Sequence, residues 1–248
     1  MLVLLPPSET KAVGGSGAPL DLDLLSHPEL TPVRAKLVDA LVDLAADVPA
    51  ALAALGLSER QVGEVERNAR LRGSPTMPAL ARYTGVLYDA LALDSFTRAE
   101  RARAFGRLAV ASALFGLVGG GDPIPAYRLS GGSALPSVGP LGALWRPALE
   151  PVLAGGGFVV DLRSSPYNSL ARVPGAAVVR VVTEGEGGRR VAVSHFNKAH
   201  KGRLARALVK SRAEPGDLRA LARVAVRAGL RVEVTGPATA DLVVGAGG

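Results

Sequence analysis

The chain has 248 residues, 48% of them hydrophobic, and a formal net charge of +7. That length suits one large or two small domains with a full core, and the charge points to nucleic acids, nucleotides or anionic membranes as partners. The absence of cysteine excludes disulfides, thiolate nucleophiles and cysteine-ligated clusters; with only three histidines, neither a metal site nor a cofactor is expected.

The opening M-L-V-L-L-P-P is too short for a signal sequence, and no apolar run approaches the roughly 20 residues of a membrane span, so the expected location is the cytoplasm. Charge is uneven. Residues 1–60 carry eight acidic and four basic side chains; residues 195–231 carry ten basic and two acidic.

Leu2 to Leu5 is an apolar run closed by Pro6-Pro7 and reads as a buried strand. Ser8, Glu9, Thr10 and Lys11 follow it. They are either site residues on a loop leaving a buried strand or a plain polar transition. Residues 13–20 form a glycine-rich loop. Thr31-Pro32 reads as N-cap and first residue of a helix whose apolar face is Val33, Leu37, Leu41 and Leu44. Pro49 opens a second helix ending near Leu55-Gly56-Leu57, and Ser58 with Gln61 opens a third. Helix, apolar-Gly-apolar turn, helix is the outline of a DNA-binding helix-hairpin-helix. It is equally the outline of an ordinary helical hairpin, the preferred reading. Arg60, Arg67, Arg70 and Arg72 line its second half.

Residues 79–91 read as one helix with Tyr83 and Tyr88 as packing residues, and Thr97 with Glu100 forms a capping box. Residues 108–114 fit strand or helix. Gly119-Gly120-Gly121 and Asp122-Pro123 mark irregular backbone before Tyr127-Arg128. That pair suits stacking on a base with a grip on a phosphate, or a structural arginine fixing its loop. Residues 141–153, with the single Trp145, read as a helix despite Pro147. Residues 158–162 form a buried strand, and Arg163, Ser164 and Tyr167 follow its carboxyl end, where α/β sheets place ligands. Residues 177–183 and 189–194 read as a hairpin. Asp217 caps a helix reaching Ala228, with Arg219, Arg223 and Arg227 on a solvated face; residues 231–235 and 242–244 are the last strands.

The densest chemistry lies in residues 194–212. This stretch holds His195, His200, Lys198, Lys201, Arg203, Arg206, Lys210 and Arg212, and no acidic residue. Lys198 and Lys201 are read in a turn before a helix that starts near Gly202. Cations and free helix amides would there meet a phosphate together. Acidic i,i+4 partners are missing, apart from Glu214 for Lys210.

Four segments together resemble the peroxide-stress protein YaaA family, in the same order and over almost the whole chain. They are L-V-L-L-P-P-S-E-T-K, L-F-G-L-V-G-G-G-D-P-I-P-A-Y-R-L, F-V-V-D-L-R-S-S-P-Y and S-H-F-N-K-A-H-K-G. The resemblance implies a cytoplasmic bacterial protein with a mixed α/β fold of its own type. It also implies survival of hydrogen peroxide, lowered free intracellular iron, and binding of double-stranded DNA through a basic cleft and a helix-hairpin-helix-like element. The matching positions are Lys11, Tyr127, Arg128, Ser164, Tyr167, Lys198, Lys201 and Gly202. The chain departs from the family at Gly119, where a basic residue is common, at Ala199, where a second lysine is common, and at Ser165-Pro166, where acidic residues are common.

The expected fold is a single mixed α/β (α+β) domain over residues 1–248. It has a central mixed sheet, flanking helices, a helix-hairpin-helix-like insertion at residues 30–75 and a strand-rich basic part at 158–235. Two functions fit. In the first, Lys11, Tyr127, Arg128, Ser164, Tyr167, Lys198, Lys201 and Arg203 bind DNA phosphates and shield DNA from peroxide and iron. In the second, the same pocket, with Ser8, takes a nucleotide or phosphorylated metabolite, and Glu9, Lys11 or Lys198 does acid/base work. A long open groove favours the first and an enclosed pocket the second.

Overall fold

Leu2–Leu5 forms β1, the strand around which the main sheet is laid. The structure, a computed structural model, describes residues 1–185, 190–192 and 197–245. After β1 the chain passes through β2 (Gly17–Pro19), α1 (Thr31–Leu44), α2 (Val48–Leu55), α3 (Val62–Ala69), β3 (Pro75–Pro78), α4 (Ala79–Arg82), α5 (Val86–Leu91) and α6 (Arg98–Arg107). It returns to the sheet as β4 (Leu108–Ser112) and β5 (Gly116–Gly119). The short strands β6 (Pro123–Ile124), β7 (Ala134–Leu135) and β8 (Gly139–Pro140) then lead to α7 (Leu141–Ala154). β9 (Val159–Asp161), α8 (Ser165–Asn168), β10 (Ala177–Glu184), β11 (Arg190–Ala192), α9 (Asn197–Lys210), α10 (Leu218–Arg227), β12 (Arg231–Gly236) and β13 (Thr239–Val244) complete the chain.

The main sheet has eight strands among the described residues, in the order β12-β13-β10-β9-β1-β4-β5, with β11 beside β10. β13, β10, β9, β1 and β4 are parallel, while β5, β11 and β12 run antiparallel to their neighbours. The fold is therefore mixed α/β, a central mixed sheet with flanking helices. Val3, Leu4, Leu5 and all of β4 are buried. Strands covered on both faces read as continuous apolar runs, and this is why the L-V-L-L and L-A-V-A-S runs show no alternation. α6 and α9 lie against the sheet, and α5 and α10 pack on α9.

From β1 the chain moves to β4 on one side and later to β9 on the other. The strand order thus reverses at β1, and at such a point α/β sheets place their ligand crevice beyond the carboxyl ends of the strands, here β1 and β9. The Ser8–Lys11 loop and the Arg163–Tyr167 turn both leave the sheet there.

Local signals account for most helix ends. Asp47 accepts from the Ala50 amide at 3.0 Å, and Asp217 from the Ala220 amide at 2.7 Å. Both capping boxes form, Ser58 with Gln61 and Thr97 with Glu100. α7 tolerates Pro147 and Pro151 because both fall on its exposed face, opposite buried Trp145 and Leu149. Residues 108–114 resolve as strand β4 and the turn that follows it.

Several expectations are corrected. Residues 79–91 are not one helix: α4 stops at Arg82 because the backbone of residues 82–84 is zipped to the loop after β1. The Ala12 amide donates to Arg82 O at 2.8 Å, Lys11 bridges Tyr83, and Gly85 reopens the chain with φ of 96°. Thr31 is a helical residue of α1 and not its N-cap; Leu30 holds that place. α9 begins at Asn197, so Lys198 and Lys201 are helical, and Gly202 lies inside the helix. A methyl on Gly202 would overlap the Leu87 carbonyl oxygen of α5, so the glycine serves close helix packing. His195 and the rest of 193–196 lie outside the described residues, as do 186–189 of the hairpin between β10 and β11.

The helical hairpin of residues 30–75 is present, but its turn is closed on itself. The Leu57 amide donates to Leu52 O at 2.8 Å, the Gly56 amide to Ala53 O at 3.2 Å, and the Ser58 amide to Gln61 Oε1 at 3.1 Å. The structure thus has the helical hairpin, with these three turn amides engaged within it.

Candidate functional site at the carboxyl edge of the parallel strands

Lys11 is the centre of the site. The loop leaving β1 folds back so that Nζ donates to Ser8 O at 3.1 Å and Glu9 O at 3.3 Å. Nζ lies 4.2 Å from the Tyr127 ring centroid and 5.5 Å from that of Tyr83. The residue is 9% exposed. Burial is the main force lowering its pKa from 10.5 to about 7; the Arg128 charge adds to it, and Glu64 and Glu9 oppose it. An amine that titrates near neutrality can give or take a proton at physiological pH.

Arg128 stands over this amine. Its guanidinium donates to Glu9 Oε2 at 3.1 Å. Its backbone is gripped by Asn68 of α3: the Arg128 amide donates to Oδ1 at 2.8 Å, and Nδ2 donates to Arg128 O at 2.9 Å. The helical hairpin thereby positions the site arginine through a fully buried asparagine. Sequence reasoning missed Asn68; a polar residue at a core position of an amphipathic helix was the available signal.

Beneath Lys11 runs a chain of hydroxyls. Tyr83 and Tyr127 share a hydrogen bond of 2.9 Å, Tyr127 and Ser112 one of 2.7 Å, and Ser112 Oγ accepts from the Phe115 amide at 3.0 Å. Burial pushes the Tyr83 and Tyr127 phenols well up, so both stay protonated. Tyr127 is 1% exposed, with Lys11 over its face and Phe115 edge-on to it at 5.4 Å. Its ring is not offered to a base, which corrects the stacking role expected for it.

The turn after β9 closes the far side. Arg163 is held by Asp161 through two bonds, Nε to Oδ1 at 3.0 Å and NH2 to Oδ2 at 2.8 Å, and NH1 donates to Tyr167 O at 3.1 Å. Tyr167 accepts from the Gly131 amide at 3.3 Å, and burial raises its pKa to about 12, with Glu9 and Arg128 close enough to act on it. Ser164 occupies the N-cap position of α8, where its side chain makes no capping bond.

Lys198, in the first turn of α9, is exposed. It lines a cleft of about 300 Å³ with Pro6, Ser8, Glu9, Thr10 and Tyr88. Lys201 points elsewhere. Its Nζ donates to Leu162 O at 3.0 Å and Arg163 O at 3.3 Å, stapling α9 to the end of β9, and burial lowers its pKa. It borders a second depression of about 240 Å³ with Asp161 and Arg180. Arg203 lies on the exposed side of α9, away from both. The structure therefore joins Glu9, Lys11, Arg128, Tyr127 and Tyr167 directly, links Lys198 to them through the Glu9 cleft, and separates Lys201 and Arg203.

The sequence pattern of the family described as "Peroxide stress protein YaaA" matches residues 1–233. The chain belongs to the YaaA peroxide-stress family. It is 50% identical over 239 residues to a UPF0246 protein of Corynebacterium efficiens, covering 94% of this chain and 95% of that one. A UPF0246 protein of Streptomyces coelicolor is 45% identical over 244 residues, covering 96% and 94%. One from Tolumonas auensis is 28% identical over 229 residues, covering 86% of each. In this YaaA-family chain no helix among the described residues is long and apolar enough to cross a membrane. Among the same residues no group of three or more histidine, aspartate or glutamate side chains is placed to hold a metal ion.

Proposed function

We propose that this YaaA-family protein works in the peroxide-stress response, in the cytoplasm, by acting on a nucleotide or phosphorylated small metabolite in the crevice at the carboxyl edge of β1 and β9. The observation that carries this reading is Lys11, a buried amine titrating near 7, set between two tyrosine rings and beneath Arg128. Arg128 and Lys198 supply charge for a phosphate, and Lys11 supplies the exchangeable proton. The adjoining cleft of about 300 Å³ has the scale of a small-molecule site. The test is binding of a panel of nucleotides and sugar phosphates, read by thermal shift and titration in wild type, Lys11→Met and Arg128→Ala. A ligand of this site loses affinity in Arg128→Ala, and its turnover, where present, vanishes in Lys11→Met. Binding unchanged in both variants sinks the reading.

Duplex DNA remains a second reading, on one specific observation. Lys198 and Arg203 of α9 and Arg219, Arg223 and Arg227 of α10 are exposed, and none forms an ion pair with a carboxylate among the described residues. Such a surface attracts a phosphate backbone without reading its sequence and covers DNA against iron-driven damage. Affinity for duplex that falls steeply with salt, and a shallower salt slope in Lys198→Ala with Arg203→Ala, are the expected results. Absence of binding at low salt removes this reading and leaves the first standing.

A further inference from the structure

α9 and α10 meet along a cleft of about 580 Å³ that is separate from the site around Lys11. Its rim carries Arg203, Arg206, Lys210 and Arg227, and no carboxylate lines it. Its floor is apolar: Ala207, Val224, Ala228 and Leu230. Arg206 is already engaged. Its guanidinium donates to Leu91 O at 3.0 Å and to Ser95 Oγ at 2.6 Å, and it lies 5.2 Å from the Phe96 ring centroid. Arg203, Lys210 and Arg227 form no ion pair among the described residues and are exposed.

Lys210 and Arg227 occupy the last turns of their helices, where the helix dipole favours a cation. That accounts for each of them singly. It does not account for their opening, with Arg203 from a full two turns earlier on α9, into one cleft over an apolar floor. The combination fits a ligand with a strongly anionic end and a flat apolar body. The apolar part of the lining is Ala207, Ala228, Val224 and Leu230. An apolar patch edged by cations gives a ring a surface to lie on and its phosphates partners at the rim. Two arginines on the rim can lie against a ring and also fork onto phosphate oxygens.

We infer that the α9–α10 cleft is a nucleoside phosphate site, with the phosphates held by Arg203, Lys210 and Arg227 and the base lying on Ala207, Val224 and Leu230. The site is distinct from the crevice at β1 and β9 and stands whether or not that crevice takes a phosphorylated metabolite. It lies beside α5, whose C-terminal end Arg206 holds, and α5 carries Tyr88, which donates to Pro6 O at 2.8 Å in the loop leading to Lys11. A ligand in the cleft therefore sits one helix away from the loop that holds the site amine.

The experiment titrates the whole protein at low salt with ATP, AMP, adenosine and inorganic pyrophosphate. ATP and AMP are expected to bind, ATP the more tightly, and both more tightly than pyrophosphate or adenosine alone. Lys210→Ala with Arg227→Ala should weaken ATP roughly tenfold or more, through loss of two charge-assisted contacts. Ala228→Glu, an exposed position, puts a carboxylate into the cleft and should weaken it similarly without loss of fold. The part of ATP binding that Lys210→Ala with Arg227→Ala removes should still be present in Lys11→Met and Arg128→Ala, which separates it from any nucleotide held in the crevice. Pyrophosphate binding as tightly as ATP reduces the cleft to a charged surface and overturns the inference. So does ATP binding unmoved by the rim variants, or duplex DNA as the sole ligand that binds.

Discussion

Asn68 satisfies both backbone polar groups of Arg128, accepting from its amide at 2.8 Å and donating to its carbonyl at 2.9 Å. A side-chain amide here plays the part of a neighbouring strand for a single residue. It ties the helical hairpin of residues 30–75 to the loop that presents the site arginine. Asn68→Leu removes both bonds and leaves a buried donor and acceptor, which should cost roughly 2–4 kcal/mol. Chemical denaturation measures that loss. If the hairpin positions Arg128, ligand affinity should fall in Asn68→Asp as well, a variant that keeps the acceptor and only one of the two bonds.

Lys11 gives stability a defined pH dependence. Its folded pKa is lowered to about 7, against 10.5 for the free side chain. Between those values the unfolded chain binds the proton and the folded chain does not. Stability from this group therefore rises as pH increases from about 7 towards 10, and its charging below 7 opposes folding. Denaturation midpoints of wild type and Lys11→Met at pH 6, 8 and 10 should show the difference moving in favour of wild type with rising pH. A difference constant over that range would mean the amine is not held near neutrality.

Two glycine replacements should act in opposite directions. Gly202→Ala drives a methyl into the Leu87 carbonyl and Ala90, forcing α9 off α5 at a cost of about 2 kcal/mol or more. Gly63→Ala, inside α3 with nothing within 4 Å of the new methyl, should stabilise by about 0.5–1 kcal/mol through helix propensity. Thermal melts of the two variants read both signs directly.

Arg82 is fully buried and makes no ion pair among the described residues. It donates to Ile124 O at 3.1 Å, Gly14 O at 2.9 Å and Pro75 O at 3.0 Å, and also to Ala12 O. It therefore ties the glycine-rich loop to β3 and β6. Arg82→Met strands these carbonyls and should cost roughly 3–5 kcal/mol. Arg82→Lys should recover only part of that, because one ammonium cannot reach four carbonyls set around a planar fork. Equal stability of the methionine and lysine variants would contradict this.

Much of the molecule is legible in the residues. Continuous apolar runs gave β1 and β9, the capping residues Ser58, Thr97 and Asp217 gave helix starts, and four segments in order gave the family. These features depend on neighbours in the chain, and local rules of burial, capping and turn chemistry are enough to read them. Lys11 and Tyr167 stood out on loops that leave buried strands and Arg128 beside Tyr127, and the family resemblance grouped the three in one candidate site.

What each of those residues does was decided by packing over long separations. Tyr127 follows the rules for a base-stacking aromatic until Lys11 and Phe115 cover its ring. Gly202 looks like a helix start until α5 is laid against it. Lys201 looks like a phosphate ligand until the carbonyls ending β9 reach its amine. Residues 79–91 have the pattern of one helix, yet the loop after β1 claims the backbone of 82–84. Helix propensity is worth tenths of a kilocalorie per residue, and paired backbone in a buried crossing outweighs it. The near-neutral amine is the clearest case. The sequence supplies a lysine after a strand, but only the tertiary fold removes the water around it and brings Arg128 over it, and those two effects set its proton affinity.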